Sequence, residues 1–199
     1  MNFSAANLVK CSASQLLYFA LKKLQFVATP RQYAGNEYAD NIIQKEEASA
    51  EKRGIIKLKD DLLFFCVDMI KDTRYIEIKM VDDMDDYEDW YLHSSIMQST
   101  LYASLLEHVT ELDTPKFRKK EGYKQERIPV TPDRTYELWF GTDKYEIHPN
   151  NDVKQHYLNK LELISKSVET TDFSEVRAFD SQFKHQEFNI YQPYYKLIQ

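Results

Sequence analysis

Leu62-Leu63-Phe64-Phe65-Cys66-Val67 is an uninterrupted apolar run, and after the polar break Lys71-Asp72-Thr73 the segment Arg74 to Val81 alternates from Tyr75 to Met80. In the second segment Tyr75, Glu77 and Lys79 fall on one face and Ile76, Ile78 and Met80 on the other. A run apolar at every position suits a strand covered on both faces, so layers must lie above and below the sheet. Upstream, Ile55, Ile56 and Leu58 lead into the turn signal Asp60-Asp61, which predicts a hairpin with the apolar run. Three consecutive strands are therefore expected.

Helical periodicity surrounds them. Leu16, Leu17, Phe19, Ala20, Leu24 and Val27 predict a first helix over Ser12 to Val27, capped by Ser12 or Ser14. Pro30 stops it or starts the next element, and a more polar helix follows over Ala34 to Glu47. After the strands, Asp82 to Asp89 holds six acidic residues in eight and reads as an exposed loop. A helix is expected from Ser94 or Ser95 to Val109, with Pro115 ending the block. Thr135 to Phe140 and Tyr145 to His148 flank the turn-like Gly141 to Lys144 and predict another hairpin. A helix over Asp152 to Ser167, capped by Asn150 or Asn151, precedes an aromatic-rich tail from Phe173 to Tyr195 that packs back on the rest. The expected fold is α/β, a mixed central β-sheet flanked by helices, in one domain over residues 1–199. No internal repeat or linker-like stretch divides it.

Charge narrows the partners. With 32 acidic against 26 basic residues and a formal charge of -6, long-range attraction does not favour polyanions, so any nucleic-acid contact must be local. No apolar stretch approaches the ~20 residues a bilayer needs, and no secretory signal pattern is visible, so no membrane association and a cytoplasmic location are expected. Cys11 and Cys66 are isolated, which leaves a zinc ribbon or an iron-sulfur cluster without ligands. Four glycines supply no phosphate-cradling loop, and the five histidines show no paired ligand spacing.

The chemistry-bearing constellation is Asp68, Glu77 and Lys79. Glu77 and Lys79 emerge side by side, and an antiparallel hairpin through Lys71 to Thr73 brings Asp68 beside Glu77. Two carboxylates on an apolar sheet repel unless a cation neutralises them, and carboxylate oxygens suit Mg2+ or Mn2+. A metal held there, with a lysine beside it, is the equipment of phosphodiester hydrolysis. Alternating charge on a half-exposed strand is the bland alternative. Gln98 and Tyr102, four apart, share one face of the following helix. The basic stretch Lys116, Arg118, Lys119 and Lys120, with Phe117 and Tyr123 as stacking groups, is either a grip on DNA phosphates or a solvated loop.

In this order Glu37, Val67-Asp68, Glu77-Ile78-Lys79 and Gln98-x-x-x-Tyr102 resemble the PD-(D/E)XK nuclease superfamily, in particular RecB-type and phage exonuclease domains. The resemblance implies an αβββαβ restriction-endonuclease-like core and a metal-dependent deoxyribonuclease, exonucleolytic and at work in phage-type DNA recombination, replication or processing. It implies that Asp68, Glu77 and the Ile78 carbonyl ligate metal, that Lys79 acts on the attacking water, and that Gln98 and Tyr102 lie near the metal site and the DNA. RecB-type domains often carry a His four residues after the early helix glycine. Ala39 stands there, so Glu37 is the preferred first-helix ligand and Asp40 the second choice. Ala178 to Phe183 is similar to the closing segment of related phage nucleases. DNA is the expected partner, with self-association or a phage recombination partner open. The other readings are a catalytically inactive relative serving as a nucleic-acid-binding or virion-associated module, and an interaction domain using the acidic 82–89 loop.

Overall fold

The structure is a computed structural model that describes residues 1–25, 27–59, 61–81, 89–115, 125–190 and 195–197. In chain order its elements are β1 (Asn2–Ser4), α1 (Ala5–Lys10), α2 (Ala13–Lys22), α3 (Pro30–Lys45), β2 (Ser49–Leu58), β3 (Asp61–Lys71), β4 (Arg74–Lys79) and α4 (Asp89–Leu106). There follow β5 (Glu111–Asp113), β6 (Arg127–Pro129), β7 (Thr135–Phe140), β8 (Asp143–Ile147), α5 (Asn151–Thr170), α6 (Ser174–Ile190) and β9 (Tyr195–Leu197).

The strands form one mixed sheet in the order β6-β5-β2-β3-β4-β7-β8-β9, with β1 pairing in parallel to β3. The hairpins β2–β3 and β3–β4 are antiparallel, and Lys71 opposite Arg74 leaves a two-residue link at Asp72-Thr73, where Asp72 takes a left-handed conformation. β7 then enters beside β4 in parallel. A parallel neighbour requires a crossover, and the chain makes it through α4.

The apolar positions divide between the two faces as the continuous run requires. Leu63, Phe65 and Val67 of β3 pack with Leu8 of α1, Leu17 of α2, Leu101 of α4 and Leu161 of α5. On the opposite face Ile76 and Ile78 of β4, with Met69 and Trp139, pack against Ala39 and Ile43 of α3. Along β3, Val67 belongs to the first core, Met69 to the second and Ile70 to the first again, so the alternation breaks at Asp68. The α/β layered fold expected from the sequence is the one observed.

Several boundaries differ, each for a local reason. The first predicted helix stops at Lys22, because Lys23 adopts a left-handed conformation whose N–H closes on Ala20 and Phe19 carbonyls; Leu24 and Val27 are consequently exposed. The second begins at Pro30, where Thr29 and Gln32 form a reciprocal capping box and proline fits the first turn. α4 starts at Asp89, at the end of the acidic run. β1 and α1 are additional elements, of three and six residues. Asn150 caps α5 as expected, accepting from the Val153 N–H at 2.9 Å. Asp60 and the rest of the acidic run, 82–88, lie outside the described residues. Cys11 and Cys66 are free thiols. Among the described residues no helix is long and apolar enough to cross a membrane.

Candidate active site

The β3–β4 ladder ends at Met69 opposite Ile76. One step further, the Ile78 N–H donates to Asp68 Oδ2 at 2.8 Å, so a side-chain carboxylate stands where the next backbone partner would be. On the other edge of β4 the Lys79 carbonyl accepts from the Gly141 N–H at 3.0 Å. Backbone groups alternate in direction along a strand, so the Ile78 N–H and carbonyl both face the gap beside β3. The gap is thus bordered by the Asp68 carboxylate and by the backbone of Ile78.

Glu77 sits on the α4 side of β4 and is only 2% exposed. Its Oε1 accepts from Lys79 Nζ and, at 2.5 Å, from Gln98 Nε2. Gln98 Nε2 is also 3.1 Å from the Tyr102 hydroxyl. Glu77 Oε2 is buried with no hydrogen-bond partner. Burial, then the negative charge of Asp68, push the Glu77 carboxyl well above the usual carboxylate range, against the opposing pull of Lys79. Burial works against the charge of Lys79, but Glu77 and Asp68 outweigh it and hold the ammonium above its ordinary value, so it stays protonated. Burial and then the charge of Glu77 raise the hydroxyls of Tyr102 and Tyr136 far up, keeping both neutral.

Asp68, Ile78 and Lys79 open into a cleft of about 750 Å³ whose other walls include Asn7 and Lys10 of α1 and Asn36 of α3. Lys10 is an exposed residue, yet burial of its charge against the cleft walls, and then the nearby Lys79 ammonium, bring it down to about 8, despite the carboxylates of Glu77 and Asp68.

The structure brings Asp68, Glu77, Ile78 and Lys79 together as the sequence implied. It does not bring Glu37 to them. Ala39 and Ile43 fix the buried stripe of α3, and that stripe continues through Asn36 and Gln32 into the cleft; Glu37 is exposed and Asp40 half-buried, neither lining it. Gln98 and Tyr102, expected near the metal site and the DNA, lie beside Glu77 but are buried behind it, with Gln98 only 3% exposed, so they support the carboxylate and do not face the cleft. Lys116, Arg118, Lys119 and Lys120, with Phe117 and Tyr123, lie outside the described residues. Lys10, Asn7 and Asn36 were not singled out by the sequence. A stripe drawn back from Ala39 and Ile43 would have found Asn36; α1 is too short to carry a periodic signal.

Among the described residues no group of three or more His, Cys, Asp or Glu side chains is placed to hold a metal ion. Two carboxylates, one with an orphaned buried oxygen, and a carbonyl facing the gap still fit a hard cation. Mg2+ in particular binds through one or two carboxylates and keeps waters and substrate phosphate as its other ligands.

No protein-family model matches the chain. No curated protein matches it either. Among solved structures it is similar to that of SSO0001, with 14% identity and a TM-score of 0.48 over 97% of this chain and 86% of that one.

Proposed function

We propose that the chain is a Mg2+- or Mn2+-dependent nuclease of the PD-(D/E)XK type that hydrolyses DNA phosphodiester bonds. The observation that carries this reading is the meeting of Asp68, Glu77 and Lys79 where β3 and β4 part, with one Glu77 oxygen left without a partner. Exonucleolytic action, and a place in phage-type recombination, replication or processing, rest on the resemblance of Asp68, Glu77-Ile78-Lys79 and Gln98-Tyr102 alone.

The residues divide the work. Asp68, anchored by the Ile78 N–H, and Glu77, oriented by Gln98, would hold the cation with the Ile78 carbonyl. A cation bound there supplies Lewis-acid polarisation of the phosphoryl oxygen and a more acidic water. Lys79 keeps its proton, and its ammonium orients the attacking water or balances the charge that develops on the phosphate. Burial of Glu77 and Gln98 limits the reorganisation this requires.

A second reading is favoured by one observation: Glu77 is already held by Lys79 and Gln98, and the α3 position facing the cleft is Asn36 rather than an acid. In that reading the chain is a catalytically silent nucleic-acid-binding or virion-associated relative. Incubation of the purified protein with linear DNA and magnesium separates the two. The nuclease reading expects degradation that Asp68→Ala and Lys79→Ala each reduce on the order of 10²–10³-fold while the far-UV circular dichroism is retained. Absence of divalent-dependent degradation, or degradation undiminished in both variants, would contradict the nuclease reading and favour the silent relative.

A further inference from the structure

The mouth of the cleft carries an arrangement that hydrolysis alone does not use. Trp90, in the first turn of α4, lines the cleft and is 62% exposed, a large apolar surface for a residue type that folding ordinarily covers. It is also held in place. Its ring meets Tyr91 edge-on at 5.9 Å between centroids, and Tyr91 is in turn fixed between Phe140, at 5.2 Å, and the Arg31 guanidinium, 5.8 Å from the ring centroid. Val27, 85% exposed, adds a second uncovered apolar wall.

Cations stand beside this platform. Lys10 and Arg31 line the same cleft, together with Lys79. Among the described residues no hydrogen bond or ion pair engages the Lys10 ammonium, although the cleft holds it near Asp68 and Glu77. An ammonium and an exposed indole lining one cleft match the two halves of a nucleotide: an anionic phosphate and a flat apolar base.

The strand state follows from the same geometry. Inside a duplex each base face is covered by its neighbours, and only the outer face of a terminal pair is open to an indole; a single strand offers free faces along its length. The cleft has a volume of about 750 Å³, within the roughly 300–1,000 Å³ range of pockets that enclose small ligands.

We infer that the cleft receives a single-stranded DNA end, with a base stacked on Trp90 and the adjoining phosphates gripped by Lys10 and Arg31. This rests on the nuclease reading for the site it serves, but its test does not require turnover.

The chain contains its own reporter. Of its two tryptophans, Trp139 is 7% exposed, donates its indole N–H to Glu137 Oε2 at 2.7 Å and is covered by the Lys144 ammonium 3.8 Å from its ring. Only Trp90 is placed to respond to a stacking base. The experiment is a fluorescence titration of the full chain in EDTA, where metal-dependent cleavage is silent, with a short oligothymidylate and with a blunt duplex of equal length. The expected result is quenching by the single strand. Trp90→Ala should abolish the quench and weaken binding at least about fivefold, measured by anisotropy of a labelled strand, whereas Trp90→Phe retains most of the affinity. Lys10→Gln should weaken binding and flatten its dependence on salt by about one phosphate contact. Equal affinity for the duplex, or unchanged affinity in Trp90→Ala, would overturn the inference. Failure of the two readings is distinguishable. Strand binding with Trp90 quenching but no magnesium-dependent cleavage would remove the nuclease and leave this subsite. Cleavage of duplex and single strand alike, indifferent to Trp90→Ala, would do the reverse.

Discussion

Asp68 Oδ2 accepts the Ile78 N–H at 2.8 Å, and this bond replaces the next rung of the β3–β4 ladder beyond Met69 and Ile76. It ties the carboxylate to the backbone of the residue between Glu77 and Lys79. Asp68 is thus positioned by the main chain, while Glu77 is held by the Gln98 and Lys79 side chains, so both acids are fixed before substrate arrives.

Gln98 is the support of Glu77 from the helix side. Gln98→Ala removes a donor from a carboxylate that is almost fully enclosed, and burying such a group with fewer partners costs about 1–3 kcal/mol. Urea denaturation should show that loss. Divalent-dependent cleavage should fall as well, because Glu77 loses its orientation. Unchanged stability would mean that solvent reaches Glu77 freely.

Gly54 is required by a close approach. A Cβ at this position would clash with the Phe65 ring and lie 3.1 Å from Leu112 Cδ2. Phe65 cannot retreat easily, since it is buried and its ring packs 5.5 Å from that of Tyr102. Gly54→Ala should destabilise by about 1–3 kcal/mol, and adding Phe65→Leu should recover part of the loss. Thermal unfolding of the single and double variants measures both effects.

Lys160 is buried and donates to the carbonyls of Leu8 at 2.7 Å and Cys11 at 2.6 Å, which fastens the end of α1, the helix that carries Asn7 and Lys10 to the cleft. Lys160→Met leaves both carbonyls without this donor. The expected cost is on the order of 2–4 kcal/mol by chemical denaturation, with weaker binding of oligothymidylate because Lys10 loses its support.

His156 gives the fold a defined acid sensitivity. Burial, then the Lys160 charge, bring its imidazole down to about 4, while its ring stacks on Phe179 at 5.2 Å. A histidine depressed in the folded state contributes stability above the unfolded value of about 6.5 and loses it as pH falls toward the folded value. Between pH 6.5 and 4 the unfolded chain binds the extra proton at this residue, so the His156 contribution to stability should decline there by roughly 1–2 kcal/mol, allowing for screening at the exposed edge of the ring. His156→Phe, which keeps the stacking, should remove that component. Denaturation midpoints across this pH range provide the check.

The extent to which the sequence disclosed this arrangement follows from the length of each periodic signal. The β3–β4 hairpin, and with it Asp68, Glu77 and Lys79, is legible because an unbroken apolar run and the alternation from Tyr75 to Met80 flank a short polar link. The helix ends were less so. Lys23 terminates α2 through a left-handed backbone that no residue type at that position announces, which left Leu24 and Val27 outside the apolar face they were assigned to. The charge of Glu37 marks it as a ligand in the sequence. The rotational phase of α3, set by Ala39 and Ile43 against β4, turns Asn36 to the cleft instead. Gln98 and Tyr102 were rightly grouped on one face, but whether that face looked at solvent or at Glu77 depends on how α4 crosses the sheet, a tertiary property. β1 and α1 span three and six residues, too few for either period to emerge, and so Lys10 stayed hidden.

The central claim is that Asp68, Glu77 and the Ile78 carbonyl share one divalent cation. Crystals of the protein soaked in manganese and measured for anomalous scattering address it directly. The account predicts a peak at about 2.0–2.2 Å from oxygens of both carboxylates, in the gap between β3 and β4. A clear map with no peak there, or with manganese bound only at other surface acids, would contradict it.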